Sequence, residues 1–243
     1  MKINCDMGES FGAWHMGMDE QVMPNVDMAN IACGFHASDP SVMDKTVRLA
    51  KKHGVTIGAH PGYPDLQGFG RRDLKMAADD IRAMILYQTG ALEAICRAAD
   101  THVSYVKPHG ALYNNMISDP LVMSAIMDAM VDLGGKYPLV VMAVPEFREI
   151  EAQAAARGIT VWFEAFSDRA YDDQGRLVSR SLPGAVHQEF GRIEQQVKEL
   201  VHDGMVTSIS GQRIPIKADT VCIHGDGLHA ADIAAHLRQV VTG

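Results

Sequence analysis

Four short apolar runs in this chain end in a histidine or lysine set in a glycine-bearing turn. Residues 28–32 lead into Cys33-Gly34-Phe35-His36, and 55–59 into His60-Pro61-Gly62. Residues 103–106 lead into Lys107-Pro108-His109-Gly110, and 221–223 into His224-Gly225-Asp226-Gly227. The first run of the chain carries Asn4 and Asp6, then Gly8-Glu9; another ends in Glu164, followed by Asp168-Arg169. One histidine at a strand end reads as a satisfied turn or core residue. Four of them, joined by Asp6, Glu9, Glu164, Asp226 and Lys107, read as a convergent cluster. Neutral imidazoles beside carboxylates suit general acid–base work, since burial and pairing tune both towards neutral pH. The same groups suit a divalent metal held by mixed nitrogen and oxygen ligands. With no HExxH or HxH pair, the metal reading ranks second, and no residue is assigned as a ligand.

Cys33 and His36 stand three apart, but no second thiol accompanies them, so Cys33 reads as packing and His36 as part of the cluster. A serine hydrolase is disfavoured by the lack of a GxSxG elbow. GFGRRD (68–73) offers Arg71 and Arg72, suited to bidentate carboxylate or phosphate binding, with a solvated turn as the bland alternative. Lys107 closes an apolar strand before Pro108, which aims its ammonium at the same mouth. No GxxxxGK[ST] phosphate loop and no kinase-type glycine loop is present, so a standard nucleotide pocket within this chain is not expected. His224-Gly225-Asp226-Gly227 before a helix could cradle an anion, although βα turns favour glycine anyway.

Strands are expected at 2–6, 28–32, 55–60, 103–107, 139–143, 160–164 and 221–224. All are short and largely apolar, as in a parallel sheet buried on both faces. Ser38-Asp39-Pro40 and Ser118-Asp119-Pro120 each supply a cap and a first-turn proline, and the helices they open stop at Gly54 and Gly134-Gly135. Further helices are expected at 79–99, 146–157, 188–201 and 228–241, with a polar hairpin at 205–217 turning near Ser210-Gly211. Met116, Met123, Met127 and Met130 recur at helical spacing, as a core stripe or an adaptable contact face. The alternation fits an α/β fold, a TIM-like (β/α) barrel slightly small for eight units, in one domain over 1–243. A doubly wound open sheet stays open as the competitor, because periodicity does not show closure. In either fold, ligands bind at the carboxyl ends of the strands.

Composition narrows the class. Hydrophobic residues make up 47% and charged residues 21% of 243, with no apolar run long enough to span a bilayer. A net charge of −8 leaves no basic face for nucleic acid. MKINCDMGES lacks an apolar signal region, and Cys5, Cys33, Cys96 and Cys222 form no CxxC pair. Reduced thiols in a cytoplasmic protein are expected.

INCDMGESFG, NIACGFHASDP, GAHPGYPDLQGFGRR, VKPHGALYN, EAFSDRAY and IHGDG resemble, in order, the blocks of the LamB/YcsF family from residue 3 to about 227. The resemblance implies a distorted seven-stranded (β/α) barrel, similar in shape to glycoside hydrolases and polysaccharide deacetylases. It implies the A component of a bacterial ATP-dependent 5-oxoprolinase, which works with two further subunits, B and C. It also implies a reaction in which 5-oxo-L-proline, ATP and water give L-glutamate, ADP and phosphate, with ATP held on or shared with the partners. Carried over by motif, the catalytic candidates are Asp6, Glu9, His60, His109, His224 and Asp226. The substrate-binding candidates are Asn4, His36, Arg71, Arg72, Lys107, Glu164 and Asp168. Within that set, Asp6 or Glu9 with His60 or His109 would activate water, and Asp226 or His224 would protonate the ring nitrogen. Lys107 with Arg71 or Arg72 would balance the substrate carboxylate or developing phosphate charge. Two departures stand out: Ser38 where the family often has glycine, and Gly227-Leu228-His229 where threonine-proline is usual after GD. A stand-alone metal-dependent deacetylase or amidohydrolase and a non-catalytic scaffold are the rival readings.

Overall fold

The computed structural model describes residues 1–223 and 230–242. Seven parallel strands close into a barrel: β1 (Lys2–Met7), β2 (Met28–Ala32), β3 (Thr56–His60), β4 (Val103–Val106), β5 (Leu139–Met142), β6 (Val161–Phe166) and the last strand, Thr220–Ile223. An antiparallel hairpin, β7 (Met205–Thr207) with β8 (Arg213–Pro215), precedes that last strand, β9. β1 pairs with β2 on one side and β9 on the other, Lys2 lying opposite Thr220, so the open-sheet alternative is excluded. Around the strands run α1 (Asp19–Val22), α2 (Pro40–His53), α3 (Ala78–Ala98), α4 (Gly110–Ser118), α5 (Pro120–Asp132), α6 (Phe147–Ala155), α7 (Phe190–Asp203) and α8 (Ala230–Thr242).

Strand alternation sorts the side chains. Ile3, Cys5, Ile31, Ile57, Ala59, Val141, Phe163 and Val221 belong to the core shared with the helices. The intervening residues point into the barrel. Its floor is a separate apolar cluster of Met28, Tyr105 and Val140 packed with Trp162, and above it lie Asn4, Asn30, Glu164 and Thr220, all buried. Gly58 is needed here, because a Cβ on it would fall 2.1 Å from the Tyr105 ring.

The helix stops and starts follow the capping chemistry. Asp39 accepts from Ser41 N at 2.8 Å and Val42 N at 3.0 Å, and Gly54 closes α2 in the left-handed region. Ser38 adopts φ +73°, a backbone conformation that favours glycine, which suits the glycine often found at that position in the blocks it resembles. The methionines at 116, 123, 127 and 130 are buried in the core. Two expectations need correction. β6 continues past Glu164 to Phe166, so Glu164 sits one tier inside the barrel instead of at its rim. Residues 110–118 form α4, hidden in the sequence because proline, glycine and asparagine flank a short apolar stretch.

Candidate active site

The lower tier of the site is a closed polar network. Asn30, opposite Asp6 in the β1/β2 register, donates to Asn4 Oδ1 and Asp6 Oδ1, each at 2.7 Å. Its own Oδ1 accepts from Tyr105 OH at 2.6 Å. Asn4 Nδ2 donates to Thr220 Oγ1 at 2.9 Å. Lys107 rises through the centre, 2.9 Å from Asp6 Oδ1 and 2.8 Å from Glu164 Oε1, and also meets Asn4 Oδ1 and Cys222 Sγ. The other Glu164 oxygen accepts from Tyr113 OH, which α4 supplies, at 2.8 Å. A buried ammonium between two carboxylates needs such complete pairing.

The upper tier holds three histidines from the ends of β2, β3 and β4. His60 Nδ1 lies 2.7 Å from the Lys107 carbonyl, and His109 Nε2 lies 2.8 Å from the Phe69 carbonyl. A carbonyl only accepts, so both nitrogens carry the proton. The remaining nitrogens, His60 Nε2 and His109 Nδ1, face each other at 3.0 Å. Asp6 Oδ2 is 3.3 Å from His60 Nε2, and Glu9 Oε1 is 3.5 Å from His109 Nδ1. His36 is fully buried, stacks on His109 with centroids 3.7 Å apart, and reaches Glu9 Oε1 at 3.3 Å. The 65–72 loop covers this cluster. Gly70 has φ +61°, and a Cβ there would lie 2.7 Å from His36 Cβ and 2.9 Å from His109 Cδ2.

The electrostatics separate the two mouth carboxylates. Burial raises Glu9 above the ordinary carboxylate range, reinforced by Asp6 and opposed by the histidines. Burial also pushes Asp6 upward, but His60 and Lys107 overcome it and hold Asp6 well below that range. Burial opposes the Lys107 charge, yet its carboxylate partners keep it strongly cationic. Burial, with neighbouring imidazoles, lowers His36 and His109 well below the usual histidine value, so both are neutral. Environments that drive paired acids in opposite directions mark sites of proton transfer.

A cavity of about 240 Å³ opens above this tier. Asp6, Glu9, His60, Arg71, Lys107 and His109 line it, as the strand-end reading expects. Asn4, His36 and Glu164 lie beneath that wall, in its support. Arg72 departs from its expected role: its guanidinium forks onto the buried Asp65 and staples the loop, leaving Arg71 at the mouth. Asp168 is not on the wall, although the adjacent Arg169 is. His224 and Asp226 lie outside the described residues. Sequence reasoning missed Asn30, Tyr105, Tyr113, Asp19, Arg169 and Arg180. An asparagine inside the apolar run MANIA, and a tyrosine four residues after His109, were the available signals. Arg169 was quoted beside Asp168 at the strand end without a role, and Arg180 comes from farther along the long 167–189 connection, where no strand-end signature marks it.

Known proteins carry the same architecture. A 5-oxoprolinase A-subunit from Chromohalobacter salexigens is 52% identical over 241 residues, covering 99% of this chain and 96% of the relative. One from Vibrio cholerae serotype O1 is 51% identical over 241 residues, covering 99% and 97%. The crystal structure of a lactam utilization protein from Thermus thermophilus superposes with a TM-score of 0.92 at 40% identity, covering 99% of this chain and 95% of that one. Residues 1–243 match the LamB/YcsF family throughout. With the match running through the same blocks that build the barrel mouth, the chain belongs to the LamB/YcsF family.

Proposed function

We propose that this chain is the ring-opening subunit of an ATP-dependent 5-oxoprolinase, converting 5-oxo-L-proline to L-glutamate. The observation that carries the reading is the pairing of an ionised Asp6–Lys107 unit with the hydrogen-bonded His60–His109 pair and a Glu9 raised by burial in one small cavity. The relatives named as 5-oxoprolinase A-subunits and as a lactam utilization protein support the substrate class.

The chemistry explains the need for ATP. A five-membered lactam is resonance-stabilised and resists water at neutral pH. Phosphoryl transfer to the lactam oxygen makes the ring carbon electrophilic. Water then adds to that carbon, the C–N bond breaks as nitrogen takes a proton, and the resulting acyl phosphate hydrolyses to glutamate and phosphate. In this reading the Glu9–His60–His109 cluster activates the water, a contribution of about 10²–10⁴ in rate. Asp6 stays ionised and holds His60 and Lys107 in place. Lys107, Arg71, Arg169 and Arg180 supply positive charge for the substrate carboxylate and the phosphoryl group. ATP is handled on, or shared with, partner subunits B and C, since no phosphate-loop motif is present in the sequence. A cytoplasmic location belongs to the same reading; separately, among the described residues no helix is long and apolar enough to cross a membrane.

The test is glutamate release from 5-oxoproline with ATP, using this chain alone and then with both partners. Turnover is expected only from the full assembly, with loss of it in Glu9→Gln. ATP-independent opening by the chain alone would instead favour a stand-alone amidohydrolase. An unchanged rate on omitting this chain would leave it a scaffold.

A further inference from the structure

The facing nitrogens of His60 and His109, 3.0 Å apart, need a proton or a cation between them. The Lys107 and Phe69 carbonyls take up His60 Nδ1–H and His109 Nε2–H, which leaves His60 Nε2 and His109 Nδ1 turned to each other at 3.0 Å. The carboxylates of Asp6 and Glu9 flank the same gap at 3.3 and 3.5 Å and add negative charge beside it. Such a niche calls for a cation. Two imidazole nitrogens bound to one ion at about 2.0–2.1 Å are separated by roughly 3 Å, the spacing seen here.

Distance alone groups four residues around this point. Glu9, His36, His60 and His109 each offer a ligand atom within 4.8 Å of the others. Ring orientation separates them. An imidazole lone pair lies in the plane of its ring. The His60 and His109 planes cross at 88°, so one point lies in both. The His36 and His109 planes are parallel within 4° and their centroids are 3.7 Å apart, so no ion can lie in both. His36 instead stacks on His109 and directs Nε2 to Glu9 Oε1, the position of a group that orients ligands.

We propose that His60 Nε2, His109 Nδ1 and the Glu9 carboxylate hold a divalent first-row transition-metal ion at the barrel mouth, with His36 as a positioning residue. Two imidazoles and a carboxylate suit zinc, cobalt, nickel or iron better than magnesium or calcium. Three protein ligands leave coordination positions open to the cavity, the pattern of catalytic sites rather than structural ones. The ligand set stands on its own geometry, whichever substrate the cavity accepts.

The experiment uses the full chain, stripped with a chelator and titrated with Co²⁺ alone, then Zn²⁺ in competition. The expected result is one equivalent of Co²⁺ per chain, with visible d–d absorption displaced by Zn²⁺. His60→Ala and His109→Ala lower affinity at least 100-fold, while His36→Ala lowers it 10- to 100-fold and keeps the one-to-one stoichiometry. Circular dichroism checks the fold of each variant; if one unfolds, the wild-type stoichiometry and spectrum decide. No saturable equivalent in the wild type, or equal affinity in folded His60→Ala and His109→Ala, overturns the proposal. Either result leaves the ATP-dependent reading of the function intact, since it reads binding and not turnover.

Discussion

Replacing Lys107 by Met tests whether the polar tier inside the barrel is held together as described. The Lys107 side chain is 3% exposed and Glu164 is fully buried. Among the described residues, the ammonium at 2.8 Å is the one ionic partner of Glu164 Oε1, while Tyr113 OH serves the other oxygen. Methionine fills similar volume but leaves a buried carboxylate uncompensated, which costs about 3–5 kcal/mol when one partner of a buried pair is removed. Asp6 suffers less, since Asn30 still donates to its Oδ1 at 2.7 Å and it is partly exposed. Most of the cost therefore belongs to Glu164, and Lys107→Met/Glu164→Gln should recover at least about half of it. Urea unfolding followed by far-ultraviolet circular dichroism measures both variants against the wild type. A loss under about 1 kcal/mol for Lys107→Met, or no recovery in the double variant, would refute the reasoning.

Three further outcomes follow from single contacts. Burial lifts the Asp19 carboxyl to about 6, against the opposing bond from Gly8 N. The folded chain then binds a proton that the unfolded chain has released, so stability falls by up to roughly 3 kcal/mol as pH rises from about 4 to 6. Asp19→Asn should flatten that slope in denaturation curves taken across the window. Gly70→Ala, at φ +61° and against His36 and His109, should cost more than about 1 kcal/mol and lower the melting temperature. Tyr105→Phe removes the donor to Asn30 Oδ1 and should cost about 1–3 kcal/mol in the same urea assay.

The barrel was legible because its strands are short apolar runs followed by glycine turns, and capping residues such as Asp39 announce the helices. Closure was not, since it depends on β9 meeting β1 some 216 residues away, which no local pattern encodes. The mouth residues Asp6, Glu9, His60, Lys107 and His109 were visible because strand ends converge in any parallel α/β fold. Their division of labour was hidden. Arg71 and Arg72 are neighbours of one type, and only the buried Asp65 decides which faces the cavity. Glu164 looked like a rim residue because two more apolar positions, Ala165 and Phe166, continue its strand. Likewise, His36, His60 and His109 are equivalent as letters. Ring planes and carbonyl partners, which sequence does not carry, set His36 apart.

The proposed opening of the lactam at this mouth is measured directly as the rate of glutamate formation from 5-oxoproline and ATP in the proposed assembly with subunits B and C. Asp6→Ala and His109→Ala should each lower that rate at least about 100-fold, with circular dichroism and assembly by size exclusion unchanged. Full activity in both variants would contradict the account.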